Sequence, residues 1–126
     1  MDPLFLTLDE VLALHEDQIR RYGGSHGVRD IGLLESALGN AAATFDGEYL
    51  NQTIFEMAAA ILYGICRNHP FVDGNKRASV AAALVFLEMN GVTVDADQSV
   101  FYDLVIGAAE GRASKAQIAV FFENHS

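Results

Sequence analysis

Apolar side chains along residues 8–22 recur at helical spacing, with Leu8, Val11, Leu12, His15, Ile19 and Tyr22 on one stripe. Thr7 and Glu10 form a capping box in front of that stripe, so a first helix is predicted there. Gly23-Gly24-Ser25-His26-Gly27 reads as a loop by composition. Asp30 can then cap a second helix that carries Leu33, Leu34, Ala37, Leu38 and Ala41 on one face and fades near Phe45-Asp46-Gly47. A second capping box, Thr53 and Glu56, opens a third helix with Ile54, Phe55, Ala58, Ile61, Leu62 and Ile65, running to about Asn68. From about Asn75 the run Ala78 to Leu87 is apolar nearly all round, which predicts a central buried helix closed by Asn90-Gly91. Val92-Thr93-Val94 is extended in character but has no partner strand, and is taken as a connection. Two further helices are predicted over 98–110 and 114–124, separated by Gly111-Arg112-Ala113, the latter opened by Ser114 and Gln117 as a capping box. The pattern is that of an all-α, compact bundle of about six helices forming one domain over 1–126.

Composition narrows the class. At 126 residues and 51% apolar content the chain can bury one core and is too short for two. It has no run of eighteen apolar residues, and its start, Met1-Asp2-Pro3-Leu4, lacks the positive region and cleavage site of a secretory signal, so a soluble, cytoplasmic protein without a membrane partner is expected. Cys66 stands alone among Ile61, Leu62 and Ile65 and reads as a small buried hydrophobe. The formal charge of −9 excludes a broad nucleic-acid footprint, because such binding is largely phosphate neutralisation by a basic surface. Yet of only 8 Lys and Arg, Arg67, Lys76 and Arg77 fall close together. Scarce cations gathered in an acidic chain indicate a small anionic ligand.

Those cations frame His69-Pro70-Phe71-Val72-Asp73-Gly74-Asn75-Lys76-Arg77, placed between the third helix and the fourth. A helix start carries unpaired N–H groups and the positive end of the dipole, so Gly74, Asn75 and Lys76 there make a cradle for phosphate oxygens. Lys76 and Arg77 add charge, Arg77 with a fork that matches two phosphate oxygens, and Arg67 is placed to reach the same space from the preceding helix. Asp73 is the candidate Mg²⁺ ligand, since magnesium at phosphate sites is held by one or two carboxylates plus the phosphates themselves. Histidine, which ordinarily titrates near about 6.5, can take a proton from an attacking hydroxyl, and His69 is the candidate for that role. Alone, His69 would read as a donor that ends a helix, Asn75 as a cap, Phe71 as a core anchor and Arg20 and Arg21 as surface charges. His69 and Asp73 find no third ligand nearby for a zinc site. His15 reads as core or interface, and His26 and His125 as solvent-exposed.

The nine-residue run resembles the signature loop of the Fic/Doc family, in the Doc-type (death-on-curing) form with Lys after Asn. The resemblance extends to Leu12-Ala13-Leu14-His15, Arg21-Tyr22-Gly23-Gly24, Ala83-Leu84, Phe86-Leu87, Asn90-Gly91-Val92 and Gly107-Ala108-Ala109 with Gly111, in the same order. It implies His69 as catalytic base, Asp73 as the metal-associated acid, Gly74, Asn75, Lys76 and Arg77 as the phosphate-binding turn, and Arg67 and Arg21 as accessory cations. Most family members carry Gly in place of Lys76 and move AMP from ATP to a hydroxyl. The Doc type is implied to transfer the γ-phosphate of Mg²⁺·ATP to a threonine of elongation factor Tu, arresting translation. Ala81 is a second departure, standing where Doc-type members carry an Asn. The family's inhibitory motif, Ser or Thr, three residues, then Glu with Gly or Asn, does not occur in this sequence. The resemblance therefore implies restraint by a cognate, Phd-like antitoxin that folds on binding. Two other readings stay open at this point: transfer of AMP, and a non-enzymatic module that binds an antitoxin.

Overall fold

The computed structural model describes residues 2–126. Thr7 and Glu10 close their capping box in both directions, and α1 (Leu8–Tyr22) follows with Val11, His15 and Ile19 buried along one stripe. It stops where Gly23 takes φ +86°, a conformation that suits a residue without Cβ. The Asp30 side chain accepts the amide of Leu33 and starts α2 (Ile31–Ala41). Thr53 starts α3 (Ile54–Asn68) by accepting the amide of Glu56, but the return bond of the expected box shifts by one residue, because Glu56 Oε2 accepts from Gln52. α4 (Asn75–Met89), α5 (Gln98–Ala109) and α6 (Lys115–Asn124) complete the chain, α6 with the full Ser114/Gln117 box. The chain is all-α in class, as the periodicity predicts, with six helices among the described residues.

Two details depart from expectation. Between α2 and α3 the chain makes a small antiparallel ribbon, β1 (Thr44–Phe45) and β2 (Glu48–Tyr49), instead of a fading helix. Asp46 and Gly47 both have positive φ, 56° and +83°, which is the requirement of the tight hairpin turn that Asp-Gly favours. Strands of two residues are too short to show any alternation in sequence. The second correction concerns the centre of the bundle. α3, not α4, occupies it: residues from Met57 to Leu62, with Ile65 and Cys66, are buried, and α2, α4, α5 and α6 all pack on this helix. α4 buries Ala78, Ala82, Ala83, Phe86 and Leu87 but leaves Val80, Ala81 and Leu84 on the wall of a cavity. Its all-round apolar pattern reflects a core on one side and this cavity on the other.

Residues 92–94 form a connection without strand pairing, as expected. Asn90 ties the N-terminal segment to the end of α4, its Oδ1 accepting from the Leu4 amide at 2.8 Å and its Nδ2 donating to the Leu4 and Phe86 carbonyls. Burial pushes the Cys66 thiol up to about 11, which makes it the inert packing residue the sequence suggests. Among the described residues no helix is long and apolar enough to cross a membrane.

α2 and α3 approach closely at Gly64, where an added Cβ would lie 2.8 Å from Ala37 Cβ and 3.2 Å from its Cα. Both are parts of fixed helices, so neither can yield cheaply. Gly64→Ala should therefore lower stability by about 1–3 kcal/mol in denaturant unfolding despite its gain in helix propensity. An unchanged midpoint would show that the helices can slide apart freely.

Candidate active site

The loop from α3 to α4 is fixed from below by the core. Phe71 is fully buried and stacks on the His15 ring at 3.7 Å with the planes 3° apart. His15 Nε2 donates to the Asp73 carbonyl at 2.7 Å, which fixes its tautomer. The expectation of a core histidine thus holds, and the residue also supports the loop from α1. Asn75 supplies the next restraint: its Oδ1 accepts from the Phe71 amide at 2.9 Å and its Nδ2 donates to the Phe71 carbonyl at 3.0 Å. It is not the helix cap. The N-cap is Gly74, in the left-handed region at φ 75°, and no side chain caps α4. The first-turn amides of Asn75, Lys76 and Arg77 consequently have no hydrogen-bond partner among the described residues.

The residues that carry these amides line a cavity of about 1040 Å³ between α1, α4 and α5. His69, Asp73, Gly74, Asn75, Lys76 and Arg77 all line it, so the structure brings these six sequence-selected residues together. His69 ends α3 in the left-handed conformation, φ 51° and ψ 56°, which throws the chain out of the helix and into the loop. Its side chain is exposed at the cavity. Lys76 makes no ion pair among the described residues.

The Asp73 carboxylate is held by two backbone amides, Ser25 on Oδ2 at 3.0 Å and Gly74 on Oδ1 at 2.8 Å. The Ser25 and then the Gly74 N–H, with the Arg77 charge adding less, hold its carboxyl below the usual range. It is thus an ionised carboxylate with further lone pairs on each oxygen, a donor that suits a Mg²⁺ ion whose other ligands are phosphate and water. No cluster of three or more His, Cys, Asp or Glu side chains able to cage a metal occurs among the described residues, so an ion here would need its ligand's oxygens.

Three expected cations behave differently. Arg77 lines the cavity, but its fork is turned onto main chain, Nη2 donating to the Gly23 carbonyl at 2.8 Å and Nη1 to that of Gln18 at 3.4 Å. It braces the α1 end against α4 before it can meet any anion. Arg67 is not at the cradle: its Nη1 donates to the Ala109 carbonyl at 3.1 Å, at the end of α5, where a cation meets the negative helix terminus. Arg21 pairs with Asp17 at 2.9 Å on the outer side of α1 and does not line the cavity. On the other side, Gln98, Ser99, Phe101 and Tyr102 of α5 form a wall that the motif gave no means to find. Arg29 was also missed. Its Nε donates to the His69 carbonyl at 2.7 Å and its Nη2 to that of Asn68 at 2.8 Å. A single Arg in a polar loop carries no sequence signal of that role.

Residues 5–87 match the model of the Fic/DOC family. The chain is 40% identical over 114 residues to the protein named protein kinase doc of Escherichia phage P1, covering 90% of this chain and 89% of that protein. It is 46% identical over 76 residues to toxin Doc of Mycolicibacterium smegmatis, covering 60% of this chain and 58% of that one.

His69→Gly and His69→Ala both remove the imidazole, but glycine adopts positive φ freely. The glycine variant should unfold with about 1 kcal/mol more stability than the alanine variant, and equal values would mean that the turn carries no strain. Asp73 titrates below its unfolded value, so its contribution is present above about pH 4 and is lost as pH falls through its folded value. The melting-temperature difference between wild type and Asp73→Asn should accordingly be constant from about pH 5 to 8 and shrink below about pH 4. A difference that persists at low pH would place the effect of the substitution elsewhere than in the charge.

Proposed function

The chain belongs to the Fic/DOC family, and on that premise we propose that it is the toxin of a toxin–antitoxin pair. In this reading it is a protein kinase that transfers the γ-phosphate of ATP to a Thr or Ser hydroxyl of a translation factor, elongation factor Tu, and thereby arrests protein synthesis. The names of the two relatives support the kinase and the toxin parts. Within the chain, the reading is carried by one observation: α4 begins uncapped at the cavity that Lys76 and His69 both line.

Phosphoryl transfer asks little covalent work of a protein and depends on placement and charge neutralisation. The amides of Asn75, Lys76 and Arg77 receive phosphate oxygens, and the Lys76 ammonium neutralises them. Asp73 would hold Mg²⁺, which when bound supplies further positive charge to the phosphates. His69 takes the proton of the target hydroxyl, whose oxygen bonds to the γ-phosphorus while the bond to the bridging oxygen breaks and ADP leaves. Base catalysis of this kind is worth about 10²–10⁴-fold. Lysine in place of the usual glycine favours the γ-position because it sets a long cation where a phosphate would otherwise meet bare backbone. The missing inhibitory motif supports restraint by a second chain, a Phd-like antitoxin that folds on binding.

With elongation factor Tu and Mg²⁺, wild-type protein should transfer label from γ-labelled ATP and none from α-labelled ATP. His69→Ala should lose about 10²–10⁴-fold in rate, and Lys76→Gly should shift transfer toward the α-label. Transfer of α-label by wild type would replace the kinase reading with adenylyl transfer. No transfer of either label, with antitoxin binding that survives His69→Ala, would make the chain a binding module.

A further inference from the structure

Arg29 spans two features that the motif treats as separate, the end of α3 and the loop after α1. Residues 27–30 run against the signature loop like a short clamp. The Val72 amide donates to the Gly27 carbonyl at 3.1 Å, Val28 pairs with Phe71, and the Arg29 and Asp30 amides both donate to the Pro70 carbonyl, at 2.7 and 2.9 Å. The Arg29 side chain then takes the two preceding carbonyls, those of His69 and Asn68. Three consecutive carbonyls that a helix end leaves without partners are thus satisfied by one residue and its neighbour. Asp30 goes on to cap α2, so the clamp is anchored at its far side as well.

His69 sits inside this arrangement with positive φ, and a non-glycine residue in that region persists only where its surroundings over-determine it. Its own amide bonds only the Ile65 carbonyl, a contact shared with the preceding helix. The guanidinium fork is the restraint on its carbonyl side. We infer that Arg29 is the positioning residue of the site: it locks the left-handed turn at His69 and so sets where the imidazole stands at the cavity wall. Arg29 does not line that cavity. It works on the reacting groups only through His69. The inference rests on His69 as proton acceptor in the proposed reaction.

The test uses full-length protein labelled with [¹³C]histidine, with the four ring signals assigned by single substitution and His125, far along the chain, as internal control. Arg29→Gln and Arg29→Lys remove the fork, the second while keeping the charge. Both should shift or broaden the His69 ring signal and leave that of His125 unchanged. With any target that wild type labels, kcat should fall about 10–100-fold while the KM for ATP changes less than about twofold, the signature of misplacement without lost binding. A His69 signal unchanged in both variants overturns the inference, as does a wild-type kcat in Arg29→Lys. If wild type labels no target, the proposed reaction fails, and the ring signals alone still decide whether Arg29 sets the His69 turn. If Arg29→Gln does not fold, the Lys variant carries the comparison.

Discussion

Four helices of this chain are closed at their N-termini by side chains, those of Thr7, Asp30, Thr53 and Ser114. α4 is left open, and the rest of the site depends on that. A capping side chain at position 74 would occupy amides that are otherwise left without a partner. Glycine there has none to offer, and its φ of +75° is one that residues with a Cβ rarely adopt; an added Cβ would also press on Ile19 Cδ1 at 2.9 Å. The residue best able to cap, Asn75, is spent on the Phe71 backbone instead. The loop is therefore rigid without being capped. Its restraints come from below, through Phe71 on His15, and from the side, through Arg29 and Ser25.

That arrangement places positive potential in an acidic protein. With a net charge of −9, long-range steering disfavours anions, and the attraction must come from charges within a Debye length of about 10 Å. The open helix terminus and Lys76 supply it locally. Arg77 contributes as a nearby charge while its fork holds the end of α1. Arg67 serves the α5 terminus instead of adding to the same field. α5 brings a second helix start without a side-chain cap to the same cavity, at Asp97, with Gln98 and Ser99 among the lining residues.

Most of the fold was legible because helix caps are local. Thr7, Asp30 and Ser114 mark the starts of their helices by chemistry that needs no tertiary partner, and Gly23 and Asn90-Gly91 mark ends in the same way. The ribbon at residues 44–49 was hidden, since two-residue strands carry no period, although Asp46-Gly47 names the turn. The rank of α3 over α4 as central helix was hidden for another reason: an apolar run does not say whether its second face meets core or cavity. In the site, His69 through Arg77 could be gathered because they are contiguous. Long side chains broke the rule. Arg67, Arg77 and Arg21 each reach several ångströms from their backbone, and a carbonyl or a carboxylate elsewhere decides their direction. His15 and Arg29 act on the loop across 58 and 40 positions of sequence, a range at which spacing carries no information.

The central claim is that the open start of α4 is where phosphate binds. It is tested most directly by following backbone amide signals of ¹⁵N-labelled protein as Mg²⁺·ATP is added. The account predicts that the largest shifts fall on Gly74, Asn75, Lys76 and Arg77, and that inorganic triphosphate reproduces them without the nucleoside. Saturable binding that moves amides elsewhere and leaves these four unchanged would contradict it.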